Sequence, residues 1–122
     1  METTQGKAVA AFTALARMSK KPMNSFAAYK MFRLKKALEP VVEFQSEQEV
    51  KIVEELGGTI TDAGAIQFDH EEKRFEYAIR HKELEGLKCD VGTETICMHM
   101  KELPEVAMAD LDALDDFIDW RE

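Results

Sequence analysis

Apolar residues recur at helical spacing from Ala27 to Leu56, and the recurrence keeps its phase across a proline. At 100° per residue, Ala27, Met31, Leu34, Leu38, Val41, Val42, Ile52 and Leu56 fall within an arc of about 100°. A loop at Pro40 would have no reason to preserve that phase, so the pattern predicts one long, bent helix over about 25–56. Pro40 falls roughly opposite the stripe, where water can replace the hydrogen bond that proline lacks. The alternative ends the helix at Glu39 and restarts it near Ser46, where Ser46-Glu47-Gln48-Glu49 has capping-box form. Asn24 or Ser25 is placed to cap the start, and Gly57-Gly58 to stop the end.

Two features of this helix bear on what surrounds it. Gln45 and Glu49 occupy stripe positions where apolar residues would be expected, which predicts a wet stretch of the stripe. Phe26, Tyr29 and Phe32 lie on another face beside Arg33 and Lys36. A helix apolar on two sides is sandwiched between neighbours. The obvious neighbour is an alanine-rich helix over about 5–18, whose Val9, Phe12, Leu15 and Ala16 form a stripe and which Lys20-Lys21-Pro22 terminates.

Downstream, Thr59-Ile60-Thr61 and Ala65-Ile66-Gln67-Phe68 flank Asp62-Ala63-Gly64 and read as a short β-hairpin, strands about 59–61 and 65–68. Two strands alone are marginal in water, so this hairpin calls for further strands or a partner subunit. Asp69 then caps a helix over about 70–85, with Phe75, Ala78 and Ile79 as its main face and Tyr77 and Leu84 as a weaker one. Residues 93–101 alternate as a strand that buries Ile96, Met98 and Met100 and exposes Thr95, Cys97 and His99. A short final helix near 109–117 carries Leu111, Leu114, Phe117 and Ile118. The expected fold is mainly α (α+β): an antiparallel long-helix hairpin, an additional N-terminal helix and a small antiparallel β element, in a single domain over 1–122.

Charge is unevenly placed along these elements. Residues 1–36 hold eight basic groups against Glu2 alone, whereas the rest of the chain is net −15 and the whole is −8. The basic segment therefore meets nucleic acid, another protein, or the acidic part of its own chain; the last is already tethered at high effective concentration. Cys89 and Cys97 read as free thiols. With His99 they supply at most three ligands, in no zinc spacing, so no metal site is expected. No run approaches the roughly 18 apolar residues that would span a membrane, and no signal peptide opens the sequence. The expected location is cytoplasmic, with association with a virion as a further setting.

Sequence patterns for catalysis are sparse. Gly57-Gly58 lacks the context of a phosphate loop, and no GxSxG elbow is present. His70, Tyr77 and His81 share one helix face, but His70 and His81 stand about 16 Å apart along it and read as surface histidines. The acidic ending, from Asp110 to Asp119, lacks the glycine and the twelfth-position ligand of a calcium loop. No catalytic residue, cofactor or metal ligand is assigned, and the chain reads as a non-enzyme.

Several segments together resemble a family of small uncharacterised bacteriophage and prophage proteins. They are the lysine-rich Lys20-Lys21-Pro22, the helix from Ala28-Tyr29-Lys30-Met31 to Leu38, the charged helix leading to Phe68, and Phe75-Glu76 with Leu84-Glu85. Most specific is the ending Ala109-Asp110-Leu111-Asp112-Ala113-Leu114-Asp115-Asp116-Phe117-Ile118. The resemblance implies a late-gene setting and an assembly or tail-associated role, with no catalytic residue to carry over. In layout alone, helix–hairpin–helix is similar to prefoldin-type chaperone subunits. The expected function is that of a self-associating interaction protein in phage assembly, or a holding chaperone. Its partners would be further copies of itself and another phage protein, with no membrane. The candidate surface comprises Tyr29, Phe32, Arg33, Lys36, Ile66, Phe68, Met98 and Met100. The alternative is a nucleic-acid-associated regulator using the basic segment.

Overall fold

The computed structural model describes residues 1–121. In chain order these form β1 (Glu2–Thr4), α1 (Gln5–Met18), α2 (Ser25–Glu55), β2 (Thr59–Ile60), β3 (Ile66–Gln67) and α3 (Glu71–Glu85). There follow β4 (Lys88–Asp90), β5 (Ile96–His99), a 3-10 turn (Met100–Glu102), α4 (Met108–Leu114) and β6 (Ile118–Arg121). The fold is mainly α with small sheets, and α3 folds back along the distal part of α2.

The long helix is continuous through Pro40, which is exposed. Its 31 residues extend about 46 Å at 1.5 Å per residue. Asn24 caps it by accepting a 2.9 Å hydrogen bond from the Ala27 amide. At the other end the Gly57 amide donates to Glu54 and the Gly58 amide to Val53, a paired C-terminal closure that needs the left-handed backbone of Gly57, φ 73°. Gly58 is held by a second constraint: a Cβ there would lie 2.4 Å from the Phe68 ring.

Ala27, Met31, Leu34, Leu38 and Val41 of α2 enter the main core with α1, Val91, Met98, Leu114, Phe117 and Ile118. On α1 the face that is fully buried is Ala8, Ala11, Ala14 and Met18 with Leu15, while Val9, Phe12 and Ala16 are only half-buried. The expected stripe of larger side chains is thus displaced by alanines, which let the two helices approach closely. A second cluster, Ile52, Leu56 and Leu84 with Phe68 and Tyr77, joins α2 to α3. Gln45 lies between the two clusters; it is buried, not wet, and its Oε1 has no hydrogen-bond partner.

Three further expectations are corrected. The α3 face turned inward is Tyr77 and Leu84, while Phe75 and Ile79 are 72% and 52% exposed. The helix begins at Glu71, after His70 and not Asp69, and no side chain caps it. The strand expected at 93–101 is confined to Ile96–His99. It pairs in parallel with β6, whose first residue Ile118 sits opposite Ile96 and not, as expected, in the apolar set of the final helix, which ends at Leu114. Met100 therefore leaves the strand alternation for the 3-10 turn and is 48% exposed, whereas Met98 is fully buried. The expected small antiparallel β element is present in the β2–β3 hairpin, and β1–β4 is antiparallel too, whereas β5–β6 is parallel.

Among the described residues the hairpin β2–β3 gains no extra strand. It is anchored instead by Phe68, whose ring centroid is 5.6 Å from that of Tyr77. Because Pro40 is exposed and its helix unbroken, replacing it removes a missing backbone hydrogen bond without disturbing the core. Pro40→Ala is expected to raise stability by about 1–3 kcal/mol, read as a higher midpoint in thermal or urea unfolding.

Candidate interaction surface

The outward side of α2 differs in kind from the inward side. Phe26, Tyr29 and Phe32 are 80%, 59% and 54% exposed, with Phe44 at 41% further along. Helix α1 packs on the aliphatic stripe instead, so it does not cover these rings as the sequence pattern suggested. Arg33 and Lys36 stand among them. The Arg33 guanidinium lies 5.9 Å from the Tyr29 ring centroid and donates a 3.1 Å hydrogen bond to its hydroxyl, and Lys36 Nζ lies 5.8 Å from the Phe32 centroid. Such contacts hold the cations over the ring faces while leaving both in water. Beside this surface, a cleft of about 360 Å³ opens between the ends of α1 and α2, with Leu15, Met23, Met31, Phe32 and Lys35 in its wall.

The eight residues expected to act together are divided by the fold. Tyr29, Phe32, Arg33 and Lys36 form the patch just described. Ile66 and Phe68 are half-buried in the hairpin, and Phe68 serves the distal cluster. Met98 is a core residue and no part of any surface. Met100 is exposed near Met108, Leu111 and Trp120, at a separate acidic site that includes Asp112 and Asp115. The sequence reading missed the exposure of Phe75, Ile79 and Met108, the last at 84%.

The basic N-terminal segment is likewise divided. Arg17 grips the buried carboxylate of Asp110 through Nε at 3.0 Å and through Nη2. Lys7 pairs with Asp116 at 3.1 Å, Lys21 donates to the Glu105 carbonyl, and Lys30 donates to the Cys97 carbonyl at 2.8 Å. Arg33 and Lys36 point elsewhere; Lys36 pairs with the neighbouring Glu39 at 3.6 Å, an exposed pairing of little strength.

His81 is half-buried and bridged, in place of the simple surface position expected. Its Nε2 is 2.6 Å from Glu49 Oε2 and its Nδ1 is 2.9 Å from Glu85 Oε1, with the Tyr77 ring stacked at 5.5 Å. This bridge fills the polar interval in the α2 stripe and ties α3 to α2. Among the described residues, no group of three His, Cys, Asp or Glu side chains is arranged to hold a metal ion. Both cysteines are free; burial, and then the charge of Asp90, pushes the Cys89 thiol above its ordinary value. No described helix is long and apolar enough to cross a membrane. Comparison with protein-family models, with curated proteins and with solved structures finds no match.

Burial, reinforced by the charges of Glu49 and Glu85, raises the Tyr77 phenol above its usual value. The folded state thus holds Tyr77 neutral where the unfolded chain would begin to ionise it. That contribution is complete below the unfolded-state value, about pH 10, and is lost as pH climbs through the folded-state value. An absorbance titration is expected to show a phenol ionising above pH 10 and coincident with falling stability, a step that Tyr77→Phe removes.

Proposed function

We propose that this chain is a non-catalytic interaction protein that assembles with copies of itself through exposed helix faces. One observation carries the reading: within about two turns of a well-anchored helix, Phe26, Tyr29 and Phe32 are all presented to solvent. Contiguous exposed aromatics rimmed by charge mark protein contact sites, and aromatic and arginine side chains dominate binding energy at such sites. The likeness of the segments quoted above to phage proteins favours virion assembly as the setting. The full chain is expected to run as an oligomer by size-exclusion chromatography with light scattering, and Phe26→Ser with Phe32→Ser to shift it to monomer. These side chains lie outside the core, so the circular dichroism spectrum should stay unchanged. A wild-type chain that remains monomeric throughout the micromolar range would refute the proposal.

A second reading rests on the cations held over exposed rings, Arg33 on Tyr29 and Lys36 on Phe32, an arrangement that also suits stacking of single-stranded nucleic acid. The acidic remainder of the chain opposes it, because the patch must attract phosphate against a net charge of −8. Titration of labelled single- and double-stranded DNA at two salt concentrations separates the readings. Binding that is lost at the higher salt, and lost on Arg33→Ala with Lys36→Ala, supports this one; no binding at the lower salt removes it.

A further inference from the structure

A second exposed apolar stripe, on α3, has the charge that the α2 patch lacks. Glu72, Phe75, Glu76, Ile79 and Glu83 share one outward arc of about 100°, and all five are exposed. Lys73 pairs locally with Glu76 at 3.7 Å and exposed Lys82 borders Ile79, but Glu71, Glu72, Glu76 and Glu83 outnumber these two lysines and leave the face acidic on balance. Along the helix axis it extends about 16 Å, close to the 15 Å from Phe26 to Lys36 on α2.

The two stripes cannot meet within one molecule. Helix α3 packs beside residues 49–56 of α2, as the contacts of His81 with Glu49 and of Arg80 with Glu55 establish. The basic aromatic patch ends at Lys36, about 20 Å farther along α2 and on its opposite side. Neither stripe suits pairing with itself. Two α2 patches would oppose Arg33 and Lys36 with their own copies, and two α3 stripes would oppose glutamates, arrangements that cost affinity.

We infer that the α2 patch of one copy docks on the α3 stripe of the next, a head-to-tail contact between identical chains. The inference rests on the self-association proposed above and specifies its surfaces. Phe75 and Ile79 lie against Phe26, Tyr29 and Phe32, while Glu72 and Glu76 face Arg33 and Lys36 at the rim. A contact made from two different faces leaves one of each unused at the ends, so copies add into a ring or an open chain instead of stopping at a two-fold dimer.

Paired charge reversals in the full-length chain test this. Arg33→Glu with Lys36→Glu makes both stripes acidic, and Glu72→Lys with Glu76→Lys makes both basic; all four positions are exposed, so each variant should keep the wild-type circular dichroism spectrum. Each variant alone is expected to lose self-association by about a hundredfold or more, since opposed like charges cost several kcal/mol. Mixing the two variants is expected to restore large species by light scattering, because every acidic stripe then finds a basic one. Phe75→Ser should weaken wild-type association with no change of charge. If the α3 reversal associates as wild type does while Asp112→Lys on α4 abolishes association, the partner face is wrong and self-association stands. If both reversals associate normally, the inference falls and association runs through other surfaces. A wild-type monomer overturns the inference together with the reading beneath it.

Discussion

A helix 31 residues long in a chain of 122 presents more side than the rest of the chain can cover, and the other elements are arranged by which side they cover. Alanines of α1 take the closest position along the aliphatic stripe, because only small side chains let two helix backbones approach so nearly. The segments after α3 then close the same end, with Met98, Leu114, Phe117 and Ile118 completing the core. The distal end is covered by α3 and by Phe68 from the hairpin. Among the described residues nothing covers Phe26, Tyr29 and Phe32 on the outer side of α2. Its exposure follows from length and from the choice of one side as the core.

Between the two apolar clusters the stripe turns polar, and this interval ties the ends together as much as it separates them. Glu49 there accepts His81, which also meets Glu85, so a three-residue bridge takes the place of hydrophobic contact. Gln45, buried with one oxygen unpaired, has no such compensation and costs stability. A similar logic governs α4. Seven residues make too short a helix to persist on its own, and the Arg17–Asp110 pair fixes it to α1 alongside the burial of Leu114. Here two cations of the N-terminal segment, Arg17 and Lys7, are matched by acids of the same chain. Arg33 and Lys36 stand on the uncovered side.

The parts of this arrangement legible in the sequence are those written locally. The phase of the α2 stripe across Pro40, the Asn24 cap and the Gly57-Gly58 stop each depend on residues within a few positions of one another. Two-stranded pairing of β2 with β3 is equally local. The pairings of Glu2–Thr4 with Lys88–Asp90 and of Ile96–His99 with Ile118–Arg121 join distant segments, and short runs carry no signal of their partner. Periodicity also finds apolar faces without saying which one is covered. On α3 periodicity marks Phe75 with Ile79 as one face and Tyr77 with Leu84 as a weaker second, and it is the weaker one that meets Ile52 and Leu56. Of the candidate surface, the four α2 residues stand together. Met98 and Met100 were placed on one strand face because alternation cannot foresee the 3-10 turn that separates them.

The chemistry of the uncovered faces bears on whether their exposure is incidental. On α2 the inward stripe is built from alanine, methionine, leucine, valine and isoleucine, whereas the outward side carries Phe26, Tyr29, Phe32 and Phe44. A solvated helix face needs no aromatic residue: lysine, glutamate and glutamine are better helix formers and cost nothing in exposed apolar area. Scattered single apolar residues on a surface require no account, but rings on successive turns, steadied by the cations between them, form a rigid platform with little side-chain entropy left to lose. On α3 the same contrast recurs with the opposite charge, Phe75 and Ile79 among glutamates. Two faces that the fold does not use, alike in apolar character and opposed in sign, are better explained by contact with each other in trans than by two separate accidents of exposure.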